Sequence, residues 1–408
     1  MSGRHLAWVE VDLDAIGHNF TRLQEMVEPA RLMAVVKSFA YGHGLVPVAR
    51  EVAARGARAY CVASIDEAVT LREAGIEGEI LVICPILVDD AALAACHDVT
   101  VAVFDPESAE PMGRIALAQG RKLRVHAKID TGLGRLSVLP DDAVAFVQRL
   151  RSLEGIEVDG IYSHLADAEG LDQASTLRQH ANFERVLAAL AAGEEGVPPR
   201  RHIAGSAAAM LMPALRYDFV RAGIALYGLW PSEETRLLMI AGTQNLTEVL
   251  GDTEVQVRGV KRLASLLRPA LQFKTRVVQI KDVPTGWSVG YGCTYRTRRP
   301  TRVAVLPLGY ADGYDRGFSN RGFVLVRGHR APVIGRVCMN LTMADVTDIP
   351  GAAADDEVVL VGRQGNEELM AEEVAEMTGT IHYELVTRIR WDLPRVYHRT
   401  GEERPTPA

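Results

Sequence analysis

Short apolar, β-branched runs alternate with segments of helical spacing between residues 30 and 225. The runs cover residues 32–37, 59–63, 79–83, 99–103, 122–129, 158–164, 201–205 and 217–223. Because the runs are apolar on both faces, and helical patterns such as residues 66–74 separate them, they predict repeated βαβ units and a parallel sheet. Eight units in this length favour a (β/α)8 TIM-like barrel over an open doubly wound sheet.

The pattern changes after Pro269. Strand-like segments separated by Gly, Pro and Asp turns occupy residues 271–280, 301–310, 322–328, 331–339, 341–346 and 357–363, and a helical pattern is found only near residues 370–378. This texture predicts a β-rich C-terminal domain. We therefore expect the barrel at residues 1–240 and the β-rich domain at 269–400, joined by a linker or insertion at 241–268 that contains a possible helix at 260–267.

Composition adds the expected ligand class. The 408 residues are 48% hydrophobic and 24% charged, which is ordinary for globular domains and excludes a disordered or fibrous chain. The net charge is −7 and the basic residues are dispersed, so the sequence lacks the footprint of a protein that binds nucleic acid or an anionic membrane. A small molecule is the expected ligand.

The five cysteines have no CxxC spacing, so we expect neither a disulfide framework nor a metal site, but reduced core residues. The first residues lack the basic and apolar regions of a signal peptide, and no apolar run approaches the ~18 residues that span a bilayer. The expected compartment is the cytoplasm.

Lys37 ends the first predicted barrel strand, in the segment VVKSFAYGHG. The carboxyl ends of barrel strands carry the working residues of such folds, and a lysine there can act as a nucleophile. A lysine that ends a buried strand can equally extend its amine to the surface. The glycine-rich AYGHG that follows favours the functional interpretation, with His43 as a structural residue of the loop.

VVKSFAYGHG resembles the cofactor-lysine segment of alanine racemases. Seven later segments resemble that family's blocks in the same order: KIDTGLGRL (128–136), SHLADAE (163–169), AGSAA (204–208), RAGIALYG (221–228), VGYGCTY (289–295), LGYADGY (308–314) and GRVCMN (335–340). Eight ordered blocks over nearly the whole chain are far more specific than any one of them.

The resemblance implies a pyridoxal 5'-phosphate enzyme in which Lys37 carries the cofactor. Tyr41 resembles the tyrosine that binds the phosphate, and the turns containing Ser206 and Gly223-Ile224 are small-residue segments whose N–H groups can bind an anion. Arg221 matches an arginine that donates to the pyridine nitrogen, and a guanidinium there would restrain the ring as an electron sink. Such restraint suits an enzyme that only removes and returns a proton.

Racemisation requires a base on each face of the substrate's α-carbon. Lys37 is the first, and Tyr291 resembles the tyrosine that acts from the other face. In the family a partner subunit supplies this tyrosine, so the resemblance implies a homodimer in which Tyr291 and Met339 reach the partner's active site. A free tyrosine, with a pKa of ~10, is a poor base at neutral pH and needs a cationic or hydrogen-bonding neighbour, for which His164 is the candidate.

The remaining matches concern the substrate. Arg135 resembles an arginine that contacts the substrate carboxylate, and Lys128 matches a lysine that is often carbamylated and orients that arginine. Met339 and Tyr310 match positions at the substrate site. The reaction implied is interconversion of L- and D-alanine, which supplies peptidoglycan precursors.

Three positions depart from the family's usual residues. Gly205 replaces an asparagine before the phosphate serine, Asn340 replaces an aspartate, and Trp391 stands where a phosphate-contacting tyrosine is usual. An indole has a single N–H donor and more bulk than a phenol, so the preferred substrate is left open among alanine, serine and other small amino acids.

Two other classes bind the same cofactor. Barrel-type amino-acid decarboxylases would be expected to have a glycine-triplet phosphate loop and an acidic partner of the pyridine nitrogen, where this chain has GSAAA and Arg221. A non-catalytic pyridoxal-phosphate carrier would need neither Tyr291 nor a β-rich domain. The racemase interpretation is therefore preferred.

Overall fold

The computed structural model describes residues 5–241 and 266–399. The chain divides into two compact units. One unit consists of Ala15–Ala40 and Leu45–Pro269, and the other of the chain before Ala15, Tyr41–Gly44 and the chain from Ala270 onward. Most of the predicted 241–268 segment lies outside the described residues; before it, residues Glu233–Ala241 form a helix.

The first unit contains an eight-stranded, wholly parallel sheet. Its strands, in chain order, are Arg31–Val35, Ala59–Val62, Glu79–Val82, Thr100–Val103, Leu123–Lys128, Ile156–Tyr162, Arg200–His202 and Phe219–Ala222. The last strand pairs with the first, and the final two are joined by the bonds Asp218 N→Arg201 O (3.2 Å) and Arg221 N→Ala204 O (3.0 Å). The barrel fold is confirmed, and each predicted run overlaps one strand.

Helices lie on the outer face of this sheet, because right-handed crossovers between neighbouring parallel strands all pass over the same face. They are Leu13–Val27, Leu45–Ala54, Ile65–Glu73, Ala91–Cys96, Pro106–Ala118, Ala143–Arg151, Ala174–Ala191, Ser206–Leu211 and Glu233–Ala241. Two of them begin at side-chain caps that the sequence encodes: Ser64 accepts from the Glu67 amide, and Asp105 from the Ser108 amide. Between these helices, strands such as Ala59–Val62 are buried at every position, as the apolar runs predicted.

The second unit is β-rich, as predicted. A seven-stranded sheet has the order His329–Pro332, Phe323–Val326, Glu357–Gln364, Leu271–Arg276, Ala7–Asp12, Arg395–His398, with Glu367–Leu369 added beside Glu357–Gln364. A three-stranded sheet contains Gln279–Val283, Thr301–Leu306 and Thr342–Asp345, and Ser288–Val289 pairs with Tyr295–Arg296. Two short helices, Ala371–Glu376 and His382–Thr387, complete it among the described residues.

The first strand of the chain lies in this β-rich unit. Residues Ala7–Asp12 pair antiparallel with Leu271–Arg276 and parallel with Arg395–His398, so the strand occupies an interior position of the sheet. The predicted barrel domain started at residue 1. Nothing local in AWVEVD distinguishes a strand of one sheet from a strand of another, because the partner strands are more than 250 residues away in sequence.

Two smaller expectations need correction. The helix His382–Thr387 was not predicted, because its six residues are too short for a periodic apolar stripe. The cysteines are free, but only Cys61 is buried, and Cys96 and Cys293 are exposed. The described helices include none with the length and hydropathy required to cross a membrane.

Candidate active site

Lys37 lies two residues beyond the strand Arg31–Val35, at the carboxyl edge of the barrel. Directly after it the backbone turns left-handed: Ser38, Phe39, Ala40 and Tyr41 have φ of 55°, 56°, 52° and 52°. For residues with a Cβ this conformation costs about 1–2 kcal/mol each. Such a turn persists only where its surroundings hold it, so Lys37 is attached to a segment whose shape the rest of the barrel imposes.

Glu67 stabilises this left-handed turn. Its carboxylate accepts from the Phe39 amide at 3.0 Å and from the Ala63 amide at 2.9 Å, which ties the left-handed turn to the end of the neighbouring strand. The Ala40 amide also donates to Val36 O at 2.9 Å. Glu67 was not among the predicted site residues, although its spacing three residues after the cap Ser64 is the signature of a capping box.

We expect Glu67→Ala to destabilise the barrel unit by about 1–3 kcal/mol, because the substitution leaves two partly buried N–H groups without an acceptor. Urea unfolding measures the loss, and hydrogen exchange at the amides of residues 39 and 63 should accelerate. Asp66→Ala is the matched control, since Asp66 is exposed in the same helical turn and contributes similarly to the helix dipole. Equal effects of both variants would show that Glu67 does not hold the turn.

Arg221, in the last barrel strand, is only 5% exposed. Its Nη2 donates to Ser163 O at 2.8 Å and to Ile203 O at 3.0 Å, and lies 3.1 Å from His164 Nδ1. Its Nη1 lies 2.5 Å from His202 Nδ1. Because a guanidinium can only donate, both histidines must present an unprotonated Nδ1 to it.

The neutral state of His164 follows from its surroundings. Burial, followed by the positive charges of Arg221 and Arg135, lowers the pKa of His164 to about 3. His164 is therefore neutral at pH 7 with its proton on Nε2, and it can assist a phenolate as a hydrogen-bond donor. This environment does not support the other alternative for the neighbour of the tyrosine, in which His164 is a cation.

Two short helical turns follow the last two barrel strands side by side. The helix Ser206–Leu211 follows Arg200–His202, and the 3-10 turn Ile224–Tyr227 follows Phe219–Ala222. The Gly223 amide donates to Ser206 Oγ at 3.0 Å and joins the two turns. N–H groups in a first helical turn have no acceptor within the helix, so this pair of turns offers converging donors for an anion.

Asp130 organises the loop that carries Arg135. Asp130 Oδ1 accepts from the amides of residues 132, 133 and 134, and its Oδ2 accepts from the Arg135 amide at 3.0 Å. Burial raises the pKa of Asp130, but these four N–H groups outweigh it and hold the pKa below its ordinary value. The wrapped loop leaves the Arg135 side chain exposed, where it can meet a substrate carboxylate.

Lys128 is buried, with its amine 5.5 Å from the centre of the Phe104 ring and 5.7 Å from that of Tyr162. Burial, and then the positive charges of Arg135 and Arg221, lower the pKa of Lys128 to about 8. At neutral pH the uncharged, nucleophilic fraction of this amine is therefore a minority, but far larger than for an ordinary lysine.

The other predicted site residues belong to the β-rich unit. Tyr291 is 72% exposed and Met339 56%. Tyr310 lies beside the Met339 segment, since the amides of residues 310 and 311 donate to Cys338 O at 3.1 Å and to Met339 O at 3.0 Å. This approach requires Gly309, because a Cβ there would lie 2.0 Å from Cys338 O. Tyr41 is also in this unit and is buried.

The three departures occupy different environments. Asn340 Nδ2 donates to Asp312 Oδ2 at 3.5 Å, so an amide here faces a carboxylate that a second aspartate would repel. Trp391 is 72% exposed. Gly205 precedes the helix Ser206–Leu211 as its N-cap, with an extended backbone that any residue can adopt.

Known proteins resemble this chain over nearly its whole length. Models of the alanine racemase N-terminal and C-terminal domains match residues 11–231 and 270–397. An alanine racemase of Syntrophobacter fumaroxidans is 40% identical and covers 96% of this chain and 97% of its own. The structure of alanine racemase from Bacillus anthracis with bound L-Ala-P has a TM-score of 0.85 at 36% identity, covering 98% and 96% of the two chains. A histidine racemase from Leuconostoc mesenteroides has a TM-score of 0.82 at 27% identity, covering 97% and 98%.

Proposed function

Because the chain belongs to the alanine racemase family, we propose that it interconverts L- and D-alanine by removing and returning the α-proton. The observation that carries the proposal is the grouping at one end of the barrel: the strand-end Lys37, the buried Arg221 with neutral His164, and the two turns joined at Ser206. An isomerase that moves one proton needs a base, a charged group that positions the reactants, and a site that binds an anion. These residues supply all three.

The proposed cofactor is pyridoxal 5'-phosphate, which when bound supplies an electron-withdrawing ring that acidifies the substrate's α-proton. The donor set of the barrel fits it. Lys37 would attach it, Ser206 and the amides of the two turns, with Tyr41 as a further proposed donor, would bind its phosphate, and Arg221 would donate to its ring nitrogen. In the same barrel, the buried hydroxyl of Tyr162 has no hydrogen-bond partner among the described residues.

The two proposed bases are Lys37 and Tyr291, one for each face of the α-carbon. A base that removes and returns the proton from one side regenerates the starting enantiomer, so inversion requires both. His164 Nε2–H is the proposed donor that stabilises the Tyr291 phenolate. We further propose a homodimer in which Tyr291 and Met339 of one subunit complete the site of the other; their exposure of 72% and 56% is consistent with such a role.

The substrate carboxylate is proposed to bind Arg135, with Tyr310 and Met339 bounding the site. Alanine is the proposed substrate, since that is the activity of the relatives named above, and serine is the alternative because Trp391 changes the usual residue. The likeness to a histidine racemase shows that one fold serves side chains of different size.

The proposal is tested by incubating the holoenzyme with single enantiomers of alanine, serine and histidine in heavy water. We expect alanine to give the opposite enantiomer with deuterium at the α-carbon, faster than the other two. A protein that binds no pyridoxal phosphate, or that releases carbon dioxide without inversion, would refute the assignment, and the second result would indicate a decarboxylase.

Lys128 is proposed to be carbamylated: its uncharged amine adds to carbon dioxide, forming an N–C bond and releasing one proton. The resulting anion would orient Arg135 in place of a repelling cation. At constant dissolved carbon dioxide we expect the carbamate to decrease as the pH falls below about 8, because burial and two arginines hold the pKa of Lys128 near that value and the protonated amine cannot react.

Carbon-13 NMR after supply of labelled bicarbonate should detect the carbamate. Lys128→Gln should remove the signal and raise KM for alanine about tenfold, since a charged hydrogen bond to Arg135 is lost. Lys122→Gln is the control, because Lys122 is exposed and six residues earlier in the same segment. Persistence of the signal in Lys128→Gln would contradict the assignment.

A further inference from the structure

A line of buried polar side chains runs through the barrel interior from Arg221 to Glu79. His202 Nδ1 lies 2.5 Å from Arg221 Nη1, and His202 Nε2 lies 2.9 Å from His126 Nδ1. His126 Nε2 lies 3.4 Å from Glu79 Oε1, an ion-pair distance rather than a formed hydrogen bond, and neither atom has another hydrogen-bond partner among the described residues. Both histidines are fully buried and Glu79 is 9% exposed, so water does not compete for these contacts. None of His202, His126 and Glu79 was predicted as a site residue; the signal was a histidine within each of two predicted strand segments.

The protonation of the whole line is determined from its Arg221 end. Burial lowers the pKa of His126 to about 3 and that of His202 well below its ordinary value, so each ring carries one proton. Arg221 can only donate, so His202 Nδ1 accepts and the His202 proton is on Nε2. That proton points at His126 Nδ1, which must accept in turn. The His126 proton is therefore on Nε2 and faces Glu79.

Every donor in the line thus points the same way, from the guanidinium to a carboxylate. Glu79 Oε2 is held by Arg200 Nε at 2.9 Å, and Arg200 also pairs with Asp159. Burial raises the pKa of Glu79, and the Arg200 charge opposes that rise. Glu79 stands at the amino end of its strand, on the wall of a cavity of about 1150 Å³, whereas Arg221 is near the carboxyl end of its strand.

The barrel makes room for this line at Gly160. His126 pairs with Gly160 across neighbouring strands, and a Cβ on Gly160 would lie 2.6 Å from the His126 ring. A side chain at this position would displace the ring. Glycine is required at position 160 because the His126 ring occupies the space of a side chain. The Gly160 backbone has no left-handed φ that would by itself call for glycine.

We propose that Glu79 and His126 are positioning residues for Arg221. By accepting the His126 proton, Glu79 stabilises the Nε2–H tautomer that Arg221 imposes on both rings, which keeps His202 Nδ1 available to the guanidinium and holds Arg221 in one orientation. Aligned hydrogen bonds polarise one another, so a carboxylate at one end strengthens the bond at the other. The expected effect on the reaction rests on the proposed function, in which Arg221 faces the ring nitrogen of the cofactor. The expected tautomers of His126 and His202 do not depend on that function.

The first test reads the tautomers of the wild-type rings and uses substitutions only to assign their signals. Nitrogen-15 NMR of holoenzyme labelled at histidine distinguishes Nδ1–H from Nε2–H rings. We expect the signals that disappear in His126→Gln and His202→Gln to be those of Nε2–H tautomers, without titration between pH 6 and 9. An Nδ1–H or doubly protonated ring at either position in the wild type would overturn the proposal, whatever reaction the protein catalyses.

The second test compares Glu79→Gln with Asp159→Asn. Each variant neutralises one carboxylate partner of Arg200 with little change of size, but only Glu79 faces His126. We expect Glu79→Gln to shift the His126 and His202 signals and to lower kcat about tenfold, the equivalent of one charged hydrogen bond, with KM for alanine changed less than about twofold. Asp159→Asn should leave the signals and kcat as in the wild type.

Equal shifts in both variants would reveal a general effect of Arg200 and overturn the proposal, as would a Glu79→Gln enzyme with unchanged signals or with unchanged kcat. A wild-type protein with the expected tautomers but without racemase activity would refute the proposed function alone. The two failures are therefore distinguishable.

Discussion

Replacing Lys37 by alanine is expected to reduce racemisation by at least about 10⁴-fold, the largest effect of any single substitution in this chain. One side chain would lose two roles, the attachment of the cofactor and the proton transfer on one face of the α-carbon. Purified Lys37→Ala should also lack the visible absorbance of the attached cofactor. In the wild type, borohydride reduction followed by peptide mass spectrometry should locate the cofactor on Lys37.

Lys281→Ala is the matched control, because Lys281 is an exposed strand lysine of the β-rich unit and should leave absorbance and rate unchanged. Cofactor attached to another lysine in the wild type would show that the site has been placed at the wrong residue. Circular dichroism of Lys37→Ala should match that of the wild type, since the left-handed turn is held by backbone contacts to Glu67 and Val36.

Replacing Tyr291 by phenylalanine is expected to lower the rate of inversion by about 10²–10⁴-fold, the range for loss of a general acid–base group. Only a hydroxyl is removed, from a ring that is 72% exposed, so stability and cofactor binding should be unchanged. The loss would therefore be chemical. With one base remaining, the enantiomer whose α-hydrogen faces Lys37 should still exchange deuterium with solvent, but with retention of configuration.

Deuterium exchange without inversion separates this outcome from simple inactivation. Tyr295→Phe is the control, since Tyr295 packs against the small apolar cluster of Val289, Val303 and Ile334 in the same unit and has no proposed role. If Tyr291→Phe lost cofactor binding and inversion equally, Tyr291 would be a structural residue and the second base would have to be sought elsewhere.

Barrel strands such as Ala59–Val62 and Thr100–Val103 were predictable because they are buried on both faces and so carry an unbroken apolar run. The β-rich domain was recognisable from strand-like segments at short intervals, but not the arrangement of its strands. The Ala7–Asp12 strand pairs with residues at both ends of that domain, and pairing at such a separation leaves no local pattern.

The proposed site residues divide in the same way. Lys37, Arg135 and Arg221 could be selected because each is a reactive or charged residue in a motif at the end of a predicted strand. Glu67 and Glu79 could not, because each acts on a partner that is distant in sequence: Glu67 on the Phe39 amide, and Glu79 on a histidine of another strand. Their contacts exist only once the strands lie side by side.

The sequence by itself determined the barrel, the β-rich domain and the family, because burial of apolar runs and ordered motifs are properties of consecutive residues. Only the tertiary structure decided that the turn after Lys37 is left-handed, that burial favours a neutral His164, and that Arg221, His202, His126 and Glu79 lie in one line. The reason is physical: protonation and tautomer depend on burial and on the partners that each ring meets across the barrel, which the order of residues does not state.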